Sequence, residues 1–449
     1  MELGFTTLKT NTKNFFINEK WILVVMLLLF LERLIVMAQL GATYTLSNDD
    51  LSYVNSGITF IETGAITMHG VLSAQIMPGM PVFIGIISLL FGEGTLFWIA
   101  LKLIWITMGV CSAFFIYKSV SLFAPSWCGI VAALLLSTPD FVWMDNVILT
   151  ETPFMLCLSA MVYFTFMMAK TGKNKYFWLC LTSYFLALML KANIAIYPVF
   201  ALIYLLLKKY DIKVLFKQAM ILGCVLLCFF IPWIIRNYIH YDAFIPLTYG
   251  SGNPLLLGTY QGEGYPDDSS LDYKTNVDDV AKVKLEKYYD SDGNINDDYL
   301  VRYVSLEKDG IKAKYRIEEW IKTNPSSLLK SYLWHKPKLM ITKTFLWKET
   351  FGVTRDAFRY PRTIGFIIVL LAFLTAFFLK KRRKEMFFLG LLYMGNIYIY
   401  AVGFAYERYS QTLLPIRFIA FGIGLCLFIE VAAKAFESVE MFNRNENKS

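Results

Sequence analysis

Two neighbouring carboxylates open the chemistry. The segment NDDLSYV, residues 48–54, puts Asp49 and Asp50 directly after the first long apolar run of the chain. Where a carboxylate is partly withdrawn from water, burial and a like-charged neighbour both raise its proton affinity, which makes it a better base. The same residues also suit an ordinary Asp-rich turn opening a helix. A second acid group follows in MDNVILTETPF, where Asp145 and Glu151 flank a short apolar segment and Glu151 begins another apolar run. Carboxylates at membrane depth are costly and need a partner or a task, although a Glu at a helix start also meets the positive end of the helix dipole. Three bases complete the set. Lys191 interrupts roughly thirty apolar residues, Arg236 stands in PWIIRNY, and Arg408 stands in YERYSQTLLP. A guanidinium fork matches phosphate oxygens at two points, and a lysine in apolar surroundings either meets an anion or snorkels to the interface.

The elements that must position these groups are membrane helices. Of 449 residues, 56% are apolar, 16% aromatic and only 17% charged, against roughly 25% charged in an average soluble domain. The mean hydropathy is +0.49. Apolar runs cover about 21–40, 78–92, 95–117, 127–143, 152–169, 176–207, 214–235, 363–379, 386–406 and 411–433, which predicts ten to twelve crossings of an all-α polytopic protein. The first run follows Lys9, Lys13 and Lys20 and has no small-residue cleavage signal, so it is expected to be a retained anchor.

Charge sets the expected orientation. Lys170, Lys173 and Lys175, then Lys208, Lys209, Lys213 and Lys217, and finally the block from Lys380 to Lys384 collect in loops that should be cytoplasmic, with the N-terminus. Residues 41–77, 145–151, the turn at Lys191 and the polar stretch from about 237 to 350 then face outward. An even number of crossings must separate 41–77 from 145–151, yet three apolar runs lie between them. The run 78–92 is the one expected not to cross, since fifteen residues rise only ~22 Å against a hydrocarbon layer of ~30 Å. The other solution, with 145–151 facing inward, stays open. The predicted organisation is an N-terminal transmembrane module over 1–236 with its first external loop at 41–77, an external polar domain over 237–350 with one or two amphipathic helices, and C-terminal transmembrane helices over 351–449.

The formal net charge of +8 does not point to nucleic acid. Residues 258–324 hold fifteen acids and ten bases, which leaves 33 bases and 20 acids elsewhere, the distribution of cationic loops on one membrane side. The seven cysteines lie in or beside apolar runs and none falls between Ile231 and Leu425, so the polar domain has no disulfide; Cys224 and Cys228, four apart, lack a neighbouring His or carboxylate. Three scattered histidines form no metal motif. There is no G-x-S-x-G, P-loop, H-E-x-x-H or C-x-x-C.

Acids and bases gathered on one membrane face are what group transfer from a lipid phosphate requires. A phosphate leaving group is already a weak base and needs no general acid. One carboxylate to take a proton and cations to hold the departing phosphate suffice, unlike the paired acids of glycoside hydrolysis. No cofactor is required, and nothing in the spacing indicates a divalent cation. The alternative from another class is a transporter or flippase of lipid-linked glycans, which should place charges along the crossing path and show inverted repeats; neither is visible here. A purely structural or assembly role ranks third.

In their order these motifs resemble the membrane glycosyltransferases of the GT-C superfamily, particularly the dolichyl-phosphate-mannose protein mannosyltransferase and aminoarabinose transferase branch, over roughly 20–240 and 400–420. The acidic first loop, with a Tyr four residues after its Asp, is similar to Asp49, Asp50 and Tyr53; the Pro-rich entry with a closing F-G is similar to MPGMPVFIGIISLLFG at 77–92; the later acid is similar to Glu151. The Lys of a T-K-G-P turn is similar to Lys191 in LKAN, the P-W pair to Pro232 and Trp233, and the R-Y followed by proline to Arg408, Tyr409 and Pro415. Where the aminoarabinose branch often carries a base ahead of those prolines, this chain has Gln75, Ile76 and Met77. The resemblance implies a GT-C-like bundle, an inverting transfer from a polyprenyl-phosphate sugar at the outer face of the cell membrane, and a glycan, lipid or protein acceptor of the cell envelope covered or selected by residues 237–350. It makes Asp49 the base, Asp50 or Glu151 the group orienting the acceptor, and Lys191, Arg236 and Arg408 the phosphate clamp, with Tyr53 and Tyr409 beside the substrate.

Overall fold

The computed structural model describes residues 19–446, with side chains to residue 437, so Lys9 and Lys13 lie outside the described residues. Of the described residues, 77% are helical. The N-terminal half contributes α1 (Lys20–Leu40), α2 (Asp49–Thr63), α3 (Gly79–Phe91), α4 (Thr95–Ser121), α5 (Ser126–Leu134), α6 (Pro139–Met144), α7 (Glu151–Thr171), α8 (Asn174–Leu190), α9 (Tyr197–Leu207) and α10 (Ile212–Tyr241). The polar region forms α11 (Gly252–Gly258), α12 (Val280–Lys284), α13 (Asp298–Thr323), α14 (Pro325–Lys330) and α15 (Lys336–Thr342). The chain ends with α16 (Arg359–Leu379), α17 (Arg383–Val402), α18 (Glu407–Gln411) and α19 (Leu414–Glu446). Among the described residues, seven helices are long and apolar enough to span a bilayer, and Gly79–Phe91, Ser126–Ser137 and Ala192–Leu207 are shorter apolar pieces. The lone sheet among the described residues is a hairpin of β1 (Thr67–Met68) and β2 (Val71–Leu72).

The basic loops share one end of the bundle. Lys118 meets Glu19 at 2.5 Å, Lys208 meets Glu385 at 2.7 Å, and Lys381 and Arg382 both reach Glu430. Helix α10 starts there, with Asp211 Oδ1 accepting from the backbone amides of Lys213 and Val214 as its N-cap. Residues 41–77, 145–151, 191–193 and the polar region occupy the opposite end.

Buried charges tie that second end together. Arg33, inside α1 and fully buried, donates through Nε to Asp145 Oδ2 at 2.7 Å and through a terminal nitrogen to the Leu136 carbonyl at 2.9 Å. Asp145 also accepts from Thr152 at 2.7 Å, and Gly109 on α4 lies so close to it that a side chain at 109 would collide with the carboxylate. The acid expected to face outward beside Glu151 is therefore consumed in the core. Lys102 on α4 is likewise buried and donates to the carbonyls of Tyr44, at 2.7 Å, and Asn146. Charges in apolar segments are tolerated when paired or bonded to carbonyls in this way.

Lys102 also fixes the path of α3. Helix α4 ends at the basic end, while Lys102, near its start, touches Tyr44 and Asn146 at the other end. Residue 95 therefore lies farther still from the basic end, and α3, which packs on α2 through Gly57 and Gly85 and begins against Met189, never reaches that end. Helix α3 thus stays at the end opposite the basic loops, whereas α4 and the broken α5–α6 run between the two ends.

The polar region folds onto the bundle as more than the one or two helices expected. Its long helix α13 is pinned by the buried Arg316, which donates to Thr259 Oγ1 at 2.8 Å and the Pro266 carbonyl at 3.0 Å. Tyr303 on α13 packs against Tyr241 and Tyr249 with centroids 5.3 and 5.2 Å apart. Lys336, fully buried at the start of α15, donates to the Gly403 carbonyl at 3.0 Å and lies 3.4 Å from the Tyr332 ring centroid. Burial lowers its ammonium pKa from 10.5 to about 7. Between those values the unfolded chain binds more protons than the folded one, so this residue makes stability rise with pH across the window, by at most ~5 kcal/mol. The thermal midpoint of the wild type, followed in detergent from pH 7 to 10, should therefore climb more than that of Lys336→Met; parallel curves would refute the assignment.

Candidate active site

Asp49 and Asp50 stand at the first turn of α2 and do different work. Asp50 is buried and folds back on the chain, accepting from the backbone amides of Leu46 at 2.6 Å and Asn48 at 3.2 Å. Successive helical residues point about 100° apart. With Asp50 turned inward, Asp49 projects into a cavity, its side chain one-third exposed. Asp50 is thus a local cap and does not reach the place where an acceptor would be oriented.

Beneath Asp49 sits a four-charge cluster. Glu151, wholly buried at the first residue of α7, accepts through Oε1 from Lys191 Nζ at 2.7 Å and from Arg408 Nε at 2.8 Å. Arg408 Nη1 then donates to Asp49 Oδ2 at 2.6 Å, so one guanidinium joins both carboxylates. Lys191 reaches this point because α8 ends at Leu190 and the backbone turns extended at Lys191 before the short 3₁₀ turn of 192–196. Its ammonium lies 5.5 Å from the Tyr409 ring centroid and 5.6 Å from that of Phe154. Tyr409 stacks on Tyr400 at 4.9 Å. Burial works against the charge on Arg408, yet Glu151, Tyr53 and Asp49 raise its pKa well above the ordinary arginine value. Burial likewise raises that of Tyr53, whose hydroxyl stays protonated.

The hairpin adds a neighbour that the charge pattern does not announce. Its two turn residues, His69 and Gly70, have φ of 52° and 84°, the positive pair a type I′ turn demands. That geometry sets His69 Nε2 3.8 Å from Asp49 Oδ1, with Nδ1 3.1 Å from Ser52 Oγ. A His-Gly pair between two short β-prone stretches was the available signal.

The cavity itself measures about 450 Å³. Its walls come from α2, the hairpin, residues 75–77, the turn at Lys191–Asn193, α18 and the polar region, which contributes Tyr249, Ser251, Asn253 and Arg302. Asp49 is the only acid among the described residues lining it. Tyr53, Lys191, Arg408 and Tyr409 line it too, while Glu151 stands behind them. Arg236 stands apart from the expected clamp: it donates to Asn237 Oδ1 at 2.8 Å, packs over Trp233 with 5.1 Å to the ring centroid, and is not among the lining residues. Two apolar cavities of about 230 and 240 Å³ lie along the helices at 165–222 and 366–420, away from these charges. Among the described residues no group of three His, Cys, Asp or Glu is placed to hold a metal ion.

Comparison with known proteins agrees with this architecture. Residues 76–235 match the family model described as dolichyl-phosphate-mannose-protein mannosyltransferase. No curated protein matches the chain by sequence. Among solved structures, archaeal oligosaccharyltransferase AglB from Archaeoglobus fulgidus, in complex with an inhibitory peptide and a dolichol-phosphate, aligns with a TM-score of 0.54 at 14% identity, over 96% of this chain and 52% of its own. The chain thus spans about half the length of AglB. ArnT from Cupriavidus metallidurans, bound to undecaprenyl phosphate, aligns with a TM-score of 0.40 at 13% identity, over 91% of this chain and 77% of its own. The protein is a polytopic membrane protein with the GT-C glycosyltransferase fold, and its residues 76–235 match the dolichyl-phosphate-mannose-protein mannosyltransferase family.

Proposed function

We propose that the protein is an inverting glycosyltransferase that moves a sugar from a polyprenyl phosphate to an acceptor hydroxyl at the outer face of the cell membrane. The observation that carries this reading is the single carboxylate facing the cavity. Asp49 takes the acceptor's proton while the acceptor oxygen attacks the anomeric carbon, and the bond from that carbon to the phosphate oxygen breaks with its electron pair staying on phosphate. One displacement inverts the anomeric centre. A phosphate leaving group needs no second carboxylic acid, so one open carboxylate is the complement this chemistry requires. Arg408 orients Asp49 directly, and Lys191 and Arg408 are held by Glu151, so both bases are committed to carboxylates before a phosphate arrives.

The dolichol-phosphate held by the AglB complex supports a polyprenyl-phosphate ligand. The basic loops gathered at the opposite end support a cytoplasmic N-terminus and an outward cavity. The reaction so written uses no cofactor. The acceptor is a glycan, a lipid or a protein, and the polar region over the cavity selects it. The test uses protein reconstituted in vesicles with a radiolabelled undecaprenyl-phosphate sugar and an extract of envelope acceptors. Label should move to the acceptor with release of undecaprenyl phosphate, and NMR should show inversion at the anomeric carbon. Label that crosses the vesicle membrane while still on its lipid would instead favour the flippase.

A further inference from the structure

The charges that line the cavity do not all cancel. Lys191 and Arg408 are matched by Glu151 and Asp49. Arg302, on α13, lines the same cavity. Its Nε is buried and has no hydrogen-bond partner, and among the described residues no carboxylate forms an ion pair with it. The lining residues contributed by residues 248–254 around it, Tyr249, Ser251 and Asn253 among them, are neutral, as is Gln75. Nor is Arg302 a loosely held surface cation. One turn along the same helix Leu306 closes on Gly250, where a Cβ would lie 3.0 Å from Leu306 and 3.4 Å from Gln75, and the adjacent Tyr303 is locked among Tyr241 and Tyr249. A guanidinium whose Nε is buried without a partner, carried by a packed helix at the wall of a polar cavity, is suited to an oxyanion.

We infer that Arg302 is the anion-binding residue of this cavity and that it holds a phosphate oxygen of the polyprenyl-phosphate ligand. The inference rests on the transfer reaction proposed above. In that reaction the donor phosphodiester carries one negative charge. When its bond to the sugar breaks, the phosphate keeps the electron pair and becomes a monoester with further negative charge. Lys191 and Arg408 already answer two carboxylates, so the uncommitted positive charge comes from Arg302. The polar region is then part of the catalytic centre, supplying a cation from α13.

The experiment measures binding to the purified full-length protein in nanodiscs, with undecaprenyl phosphate, undecaprenol and glycerol 3-phosphate as probes. The wild type should bind undecaprenyl phosphate at least tenfold more tightly than undecaprenol. Arg302→Gln should lose at least tenfold for the phosphate while its undecaprenol binding is unchanged, and Arg302→Lys, which keeps the charge without the fork, should recover part of the loss. Preserved discrimination in Arg302→Gln overturns the inference. So does an Arg302-dependent affinity for glycerol 3-phosphate with none for the lipid phosphate, because the anion would then belong to the acceptor. If Arg302→Gln fails to fold, Arg302→Lys decides: binding of undecaprenyl phosphate equal to wild type from low to high salt overturns the two-point contact. A wild type that prefers neither lipid overturns the transfer reading itself, a failure distinct from that of Arg302.

Discussion

Asp49→Asn should lower kcat for sugar transfer by 10²- to 10⁴-fold, the usual contribution of a positioned general base, while leaving undecaprenyl phosphate binding within a few fold of wild type. The substitution keeps the shape of the side chain and an oxygen for the 2.6 Å bond from Arg408, so the cluster beneath it should survive. What it removes is the ability to take a proton. A loss confined to kcat therefore separates the base from a merely structural carboxylate, whose removal would disturb binding and stability as well. His69→Gln serves as the neighbouring control: the ring is 3.8 Å from Asp49, a distance that tunes or orients and does not replace it, and a much smaller loss is expected. Transfer by Asp49→Asn within tenfold of wild type would end the assignment.

Glu151→Gln should be the most destabilising single change in the site. Glu151 is fully buried and, among the described residues, is the sole carboxylate partner of Lys191 and one of two for Arg408, whose side chains are about one-tenth exposed. Removing one member of a buried ion group leaves the others uncompensated, at a cost of roughly 3–5 kcal/mol. Thermal unfolding in detergent should show the loss, and transfer activity should disappear with the alignment of Asp49. Adding Lys191→Met to the Gln variant removes one orphaned charge and should restore part of the stability, with a coupling of about 1–3 kcal/mol in a double-mutant cycle. A single substitution costing less than ~1 kcal/mol would mean that water reaches the cluster and that the cation pair is not fixed by Glu151.

Much of this arrangement was legible from sequence because its signals are one-dimensional. Apolar runs mark helices, basic loops mark one end, and a charge isolated in apolar surroundings, as at Glu151 and Lys191, marks a partnership even when the partner is unknown. The shortness of 78–92 set α3 apart from the longer runs, and in the fold it stays at the end opposite the basic loops. What escaped depends on partners distant in sequence. Arg33 and Asp145 are 112 residues apart, and only their meeting shows that Asp145 serves the core and not the cavity. Asp50 was credited by adjacency to Asp49, yet neighbours on a helix face different ways, and Asp50 turned to the backbone amides of Leu46 and Asn48. Arg236 was grouped with Arg408 by its place at a span end, but its rotation about α10 directs it to Asn237 and Trp233. Arg302 was hidden because α13 carries charges on nearly every turn, and in such a helix each cation looks solvated until the fold turns one of them into a cavity. His69 needed the hairpin turn to come within reach of Asp49.

The thirteen residues of α3 have a consequence for the lipid around the protein. Their outward side chains, including Leu89 and Leu90 at about 70% exposed, demand hydrocarbon, but the helix rises only ~20 Å. Because α3 stops short of the basic end, the lipid beside it is expected to adapt to that short apolar face. Residues 75–77 line the cavity and lead directly into α3, so that lipid would lie next to the cavity that holds Asp49.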